Sequence, residues 1–342
     1  KNHDVMLCAG TKATIFDENR FKFHEDGFFL HSYDEMAAKF DTEWLDNTVE
    51  IAEMIDVKLE FNELHFPKFP DVPKEKTPEE FLEEQVWAGI KERYGDPIPD
   101  EVRERTEYEL GVVNRMGFTE YFLVVGDLVR WARDNKIRTG WGRGSAAGSI
   151  LSYALRITNL DPIRFGLMFE RFLIEGRLAP PDIDLDFDSR YRDRVIEYAK
   201  EKYGYDHVAN ICSFFSVGAR QAVRDAARVL GHDYGLADTI SKLMPPPVLG
   251  VSKSLEESIK MVPDLRKIYD SDPAAKEILD AALGLEGIYR QTGVHAAGVV
   301  ITPKPLTEYL PVMQKGEGQP LLTQWDMHRT EEVGVLKVDF LA

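Results

Sequence analysis

The sequence predicts an α+β fold on three observations. Stretches at 182–188, 294–301 and 334–340 alternate or run apolar as strands do. The regions 78–135 and 216–282 carry helix starts and helical apolar spacing. Proline clusters at Pro67-Lys-Phe-Pro-Asp-Val-Pro73 and Pro245-Pro-Pro247 interrupt the periodic segments and mark boundaries between them. At 342 residues the chain has length for two or three domains with cores of their own. Its first residue is Lys1 rather than Met, which reads as the start of an internal fragment.

Residues 1–65 read as mixed strand and helix, with Asp46 or Asn47 capping a helix through Val49, Ile51, Ala52 and Ile55. The proline-rich linker then runs to Pro78. Thr77-Pro78-Glu79-Glu80 is a helix start: a capping Thr, Pro in the first turn, and Glu three residues after the cap. Helices follow, with breaks, to about Asn135. Gly140-Trp-Gly-Arg-Gly-Ser-Ala-Ala-Gly-Ser149 precedes an apolar helical run, Ile150 to Leu155. Small residues let backbone amides approach an anion, and a helix start adds partial positive charge. Arg143 offers a forked guanidinium; Ser145 and Ser149 offer hydroxyls. The spacing is neither a Walker A loop nor a dinucleotide fingerprint. A purely structural turn reads equally well.

Pro181-Asp-Ile-Asp-Leu-Asp-Phe-Asp188 is the most informative run. In a strand, Asp182, Asp184, Asp186 and Asp188 share one face and Ile183, Leu185 and Phe187 the other. Two carboxylates about 5 Å apart repel by roughly 3 kcal/mol at an effective dielectric near 20. Such a face needs a cation or must stay wet, and a solvated acidic loop would show the same letters. Magnesium suits an all-oxygen donor set, and two such ions clamp displacement at phosphorus. A phosphate loop followed by Asp-x-Asp on a strand suits a nucleotidyltransferase palm.

Arg220, Arg224 and Arg228 recur every four residues, a helical stripe that can follow phosphates or simply face water. His295-Ala-Ala-Gly-Val-Val-Ile301 reads as a loop entering a buried strand, with His295 structural or functional. Val335-Leu-Lys-Val-Asp-Phe340 alternates, placing Lys337 and Asp339 on one face as a third carboxylate with its cation, or as an edge-strand ion pair.

The net charge is −17, with 42 basic against 59 acidic residues, which argues against an indiscriminate nucleic-acid binder. Residues 41–110 hold 21 acids and 8 bases, whereas 130–194 hold 9 acids and 12 bases, four of those acids being the strand aspartates. The acidic strand therefore sits in a basic surround, as a channel for polyanions requires. Cys8 and Cys212, far apart, form neither a disulfide framework nor a cysteine metal site. No signal peptide or membrane-length apolar run occurs, so the chain reads as soluble and cytoplasmic, with no membrane partner.

Six collinear strings resemble the C-family replicative DNA polymerases, the alpha subunits of bacterial DNA polymerase III. They are Gly142 to Ser149, Leu160-Asp-Pro through Phe169-Glu-Arg-Phe-Leu173, Pro181 to Phe187, Arg224-Asp to Gly231, His295 to Val300 and Lys337-Val-Asp-Phe-Leu341. The resemblance implies a polymerase-beta-like palm with a mixed sheet, an inserted helical thumb and a partial N-terminal polymerase-and-histidinol-phosphatase (PHP) domain. The implied boundaries are 1–65 for the end of the PHP domain, 66–215 and 293–342 for the palm, and 216–292 for the thumb. The fingers and downstream regions would lie outside the chain. Asp184, Asp186 and Asp339 fall on the family's metal-binding aspartates, leaving Asp182 and Asp188 aside. Gly144, Ser145, Gly148 and Ser149, with Arg143, fall on the triphosphate loop. Lys337 falls beside the third aspartate and Arg177 on a loop arginine, both serving the nucleotide. Arg220, Arg224, Arg228 and His295 fall where DNA is contacted. Trp141 stands where the family has Pro, and Ile174 to Pro180 departs from the family's loop.

The implied function is template-directed addition of deoxynucleoside triphosphates to a primer 3′-hydroxyl with two magnesium ions. Primer–template DNA is the implied substrate. In a longer polypeptide the implied partners are a proofreading exonuclease subunit, a sliding clamp and the clamp-loader tau subunit. The alternatives are an error-prone C-family paralogue, a non-catalytic DNA-binding module, and phosphoesterase activity from the PHP remnant, whose metal ligands are expected upstream.

Overall fold

The computed structural model describes residues 2–23, 27–58, 61, 63–176 and 181–342. It divides into two compact units, one formed by Lys1–Lys58 with Phe214–Thr292, the other by Leu59–Ser213 with Gly293–Ala342.

The second unit is built on a mixed sheet. Its strands are β1 (Asp184–Asp186), β2 (Val208–Ser216), β3 (Tyr289–Ile301), β4 (Val312–Met313), β5 (Leu322–Thr323) and β6 (Leu336–Leu341). They lie in the order β1-β6-β3-β2-β5-β4. β1 pairs parallel to β6 with Asp184 opposite Asp339, and β3 pairs antiparallel to β6 with Gly298 opposite Asp339. Alternation decides which side chains go inward. Leu336, Val338 and Phe340 are buried, while Lys337 and Asp339 face the other way. Ile183, Leu185 and Phe187 join them in one core, Phe187 stacking on Phe340 with centroids 5.7 Å apart.

Helices of the same unit complete that core. Pro78–Tyr94 begins where the sequence expects it, with Thr77 and Glu80 forming a reciprocal capping box that satisfies two otherwise orphaned amides. Asp100–Arg115 and Thr119–Asp134 follow, contributing Val102, Leu110, Val113, Phe122 and Val125 to the core. Each such side chain buried contributes about 1.5–3 kcal/mol. Backbone from Arg138 to Gly140 runs alongside 186–188: Gly140 N–H donates to Asp186 O at 2.9 Å and Asp188 N–H to Arg138 O at 3.0 Å. The Gly-Ser loop is thereby fastened to the aspartate strand.

The first unit is helical among its described residues, apart from its ends of β2 and β3. Helix Asn2–Thr11 contributes Val5, Cys8 and Ala9 to a core with Ala222, Val223, Ala226 and Ala227 of helix Ala219–Val229. Alanines at these spacings let backbones approach closely. A further helix spans Thr42–Glu53 and is capped by Asp41, not by Asp46 or Asn47 as expected. Asp41 side-chain oxygen accepts from Glu43 N–H, so capping falls five residues earlier than the sequence reading put it. Cys8 and Cys212 are both buried. Among the described residues no helix is long and apolar enough to cross a membrane.

Candidate active site

The parallel pairing of β1 with β6 puts Asp184 and Asp339 side by side although they lie far apart in the chain. Asp182 closes the group, one oxygen from each of Asp182, Asp184 and Asp339 lying within 4.8 Å of the others. Asp339 Oδ2 accepts from Lys337 Nζ at 2.9 Å, while its Oδ1 is buried without a hydrogen-bond partner. A buried carboxylate oxygen left bare is costly unless a cation or water completes it. Lys337 also reaches Glu331 at 3.2 Å and Asp182 at 3.8 Å. Burial alone would lower the Lys337 pKa, but the Asp339 hydrogen bond and the charges of Asp182 and Glu331 hold it above the ordinary ammonium value. Partial desolvation pushes Asp182 up, with Asp184 and Asp339 adding to the rise against the pull of Lys337.

Asp186 stands one step outside this group. Its Oδ1 lies 3.5 Å from Arg143 Nη1, and Arg143 Nε lies 3.4 Å from Asp184 Oδ2. The expected trio of Asp184, Asp186 and Asp339 thus differs from the clustered trio by one residue, because Asp182 and Asp186 both flank Asp184 on the same face and Arg143 engages the latter. Asp188 is set apart by a forked pairing with Arg190, at 3.0 Å to Nε and 2.6 Å to Nη2, which pulls its carboxyl down to about 2. Five carboxylates, Asp182, Asp184, Asp186, Asp339 and Glu331, share two cations, Lys337 and Arg143. That oxygen-only, charge-deficient set, with one bare buried oxygen, fits a hard divalent ion.

The Gly-Ser loop folds against these aspartates. Gly144 has φ 63°, a left-handed conformation that favours glycine, and a Cβ there would lie 3.6 Å from Asp184 Oδ2. At Gly140 an added Cβ would come within 2.7 Å of Asp186 Cβ. Gly140→Ala is therefore expected to cost about 1–3 kcal/mol by overpacking, read as a lower urea midpoint. An unchanged midpoint would mean the loop is not seated on β1. Ser145 opens a short 3₁₀ turn to Gly148, and its hydroxyl has no partner among the described residues.

Gly148 and Ser149, expected on the triphosphate loop, are both engaged by groups of the protein itself. Ser149 is fully buried; its Oγ donates to Glu109 Oε2 at 2.8 Å and accepts from Ser152 N–H at 3.2 Å. Ile150 N–H donates to the same carboxylate at 2.9 Å. Arg105 binds Glu109 Oε1 at 2.7 Å and the carbonyl of Gly148 at 2.8 Å. The start of the short helix Ile150–Ala154 is thus already filled by the protein's own anion. Burial pushes the Glu109 carboxyl up, opposed by the Ile150 amide, Ser149 and Arg105. The sequence reading missed Glu109, yet its position was a signal. Val102, Thr106, Glu109, Leu110 and Val113 are buried positions of one helix at steps of three and four. An acid on that stripe requires partners.

His295 Nδ1 accepts from Gly298 N–H at 2.7 Å, so the neutral ring carries its proton on Nε2. A Cβ on Gly298 would stand 3.0 Å from that Nδ1, placing the ring over the residue directly opposite Asp339. Arg220, Arg224 and Arg228 do lie on the exposed side of helix Ala219–Val229. Arg220 donates to the carbonyls of Met244 and Pro245, and Arg228 to that of Ala9, whereas Arg224 has no partner among the described residues. Arg177 lies outside the described residues.

A mixed α+β fold on a single mixed sheet fits a polymerase-like domain. The sequence model of the bacterial DNA polymerase III alpha NTPase domain matches residues 80–342. DNA polymerase III subunit alpha of Thermus aquaticus is 39% identical over 400 residues, covering 99% of this chain and 32% of the relative. The same subunit of Mycobacterium tuberculosis (strain H37Rv) is 40% identical over 356 residues, covering 99% and 30%. That of Escherichia coli (strain K12) is 40% identical over 351 residues, with 99% and 30% covered. The chain belongs to the family of bacterial DNA polymerase III alpha subunits, and it spans about a third of the length of these relatives.

Proposed function

We propose that this chain carries the catalytic carboxylates for template-directed DNA synthesis, the joining of a deoxynucleoside triphosphate to a primer 3′-hydroxyl. The observation that carries the reading is the β1–β6 pairing: it sets Asp184 against Asp339 and leaves a buried oxygen of Asp339 bare. Asp182, Asp184 and Asp339 would hold one magnesium ion, and Asp186 with Asp184 a second. Bound there, such ions acidify a hydroxyl and neutralise charge developing on a leaving pyrophosphate.

The chain's own residues supply the rest. Arg143 bridges Asp184 and Asp186, and its guanidinium would meet the triphosphate beside them. Gly144 and Ser145 present a backbone amide and a free hydroxyl beside Asp184. Lys337 limits repulsion within the cage by neutralising Asp339. Glu109 and Ser149 act as positioning residues, locking the loop from beneath rather than touching substrate. Arg224, with Arg220 and Arg228, follows primer–template phosphates, and His295 Nε2–H donates to DNA near Asp339. Residues 216–292 serve as a thumb, 66–215 with 293–342 as a palm, and 1–65 as the end of a PHP domain. The clamp, exonuclease and tau contacts belong to the longer polypeptide.

Primer extension by a polypeptide lengthened to match its relatives tests the reading. Extension that requires added magnesium and stops in EDTA is expected. Binding of primer–template with no extension under any divalent ion would leave a non-catalytic DNA-binding module instead.

A further inference from the structure

Next to the Gly140–Gly142 turn lies an open concavity of about 390 Å³, its walls including Arg133, Lys136, Arg138, Trp141 and Asn159. None of its described lining residues is a carboxylate. Among the described residues, Arg133, Lys136 and Arg138 form no ion pair. Arg133 is held by neutral groups, the carbonyl of Arg156 at 3.0 Å and Asn159 Oδ1 at 3.3 Å, and its Nε is buried without a partner. Arg93 shares Asn159 Oδ1 at 3.1 Å, and its own Nε is equally bare. Arg138 is near enough to Asp188 to act on it, but Asp188 is already taken by the fork of Arg190. In a chain of net charge −17, this is an unneutralised cluster of positive charge.

Trp141 gives the cluster its second property. The residue is 74% exposed, although its carbonyl is tied by Asn159 N–H at 2.8 Å. A tethered backbone with a free indole makes a flat apolar platform beside three cations. A solvated basic patch explains the charges but not the indole. Bases of every kind stack on such a platform while cations follow the backbone.

We propose that this concavity binds single-stranded nucleic acid, one base stacking on Trp141 and successive phosphates meeting Lys136, Arg138 and Arg133. It adjoins the aspartate cage but does not rest on the polymerase reading, because no metal or nucleotide takes part.

The test is fluorescence anisotropy of a labelled oligothymidylate of about 12 nucleotides, a length within the usual site sizes. It is titrated with this 342-residue chain in EDTA. Trp141→Ala is expected to weaken binding by about tenfold or more, and Trp141→Phe to restore most of it. Lys136→Gln with Arg138→Gln should flatten the slope of log affinity against log salt by about 0.7 for each charge removed. These residues are exposed, so the variants keep the fold. Asp184→Asn, which disables the cage, should bind the oligonucleotide as well as the parent does or better; failure of the catalytic reading is thus read separately. Affinity unchanged in Trp141→Ala would overturn the proposal, as would loss of binding on Arg224→Gln alone. A mononucleotide competing as well as the oligomer would also overturn it.

Discussion

Asp184→Asn in a polypeptide lengthened to match its relatives is expected to lower nucleotide incorporation by about a thousandfold or more while leaving the fold as stable as before, or more so. The first half follows from the chemistry proposed for the cage. Removing a charge that holds a divalent ion forfeits several kcal/mol of transition-state stabilisation, and each 1.36 kcal/mol is tenfold in rate. The second half follows from electrostatics. Three carboxylates with oxygens within 4.8 Å of one another repel when no cation is present. Asparagine keeps the shape and relieves that repulsion, a case of function maintained at some expense of stability. Asp184 is the cleaner target because Asp339→Asn would also strip Lys337 of its closest ion-pair partner. Single-nucleotide incorporation and a thermal melt in metal-free buffer together decide it. Near-normal incorporation would remove the mechanism; a collapsed melt would show Asp184 to be structural.

Glu109→Ala is expected to destabilise the fold by about 3–5 kcal/mol, the usual range when one partner of a buried ion pair is removed. The carboxylate is completely buried and receives Ser149 Oγ–H, the amide of Ile150 and the guanidinium of Arg105. Alanine leaves the Ser149 hydroxyl and the Ile150 amide without this acceptor, leaves Arg105 only the carbonyls of Gly148 and Leu167, and adds a cavity. Glu109→Gln separates the causes. It keeps one acceptor oxygen but turns an NH₂ group toward donors, so an intermediate loss of about 1–3 kcal/mol is expected. Urea unfolding measures both. Changes under about 0.5 kcal/mol in both variants, the level of ordinary surface substitutions, would show that the cluster does not hold the loop.

Much of the fold could be read from local chemistry. Thr77 and Glu80 sit at the spacing that two amides need, and the structure uses them so. The alternation through Lys337 and Asp339 placed both on the outward face of a strand, as found. Where several residues satisfied one rule, the sequence did not choose. Asp46 or Asn47 was read as the cap, and the helix takes Asp41, a residue of the same capping chemistry. Asp182 and Asp186 share a strand face by the same period of two, and the placement of Lys337 near the first and Arg143 near the second separates them. β2 went unread because Val208-Ala-Asn-Ile-Cys-Ser follows no period of two: its first two residues are both buried, as are Ile211 and Cys212.

The Gly-Ser turn shows a different limit. Small residues before a helix look the same whether their amides await a foreign phosphate or an internal acid. Both readings of the turn were open, and Ser149 donates to Glu109, a partner that lies on another helix. Likewise, the aspartate strand announced a charge problem but not its solution. The pairing of β1 with β6 is a long-range contact that no local period encodes.

That same pairing has a meaning for biosynthesis. A ribosome that has just finished Asp184 must still make everything from Leu185 to Val338 before Asp339 exists, roughly 8–30 s at about 5–20 residues per second. Until then the outermost strand has no parallel neighbour and its acids have no third member. The acids of β1 therefore wait, unpaired with Asp339, until β6 has been made.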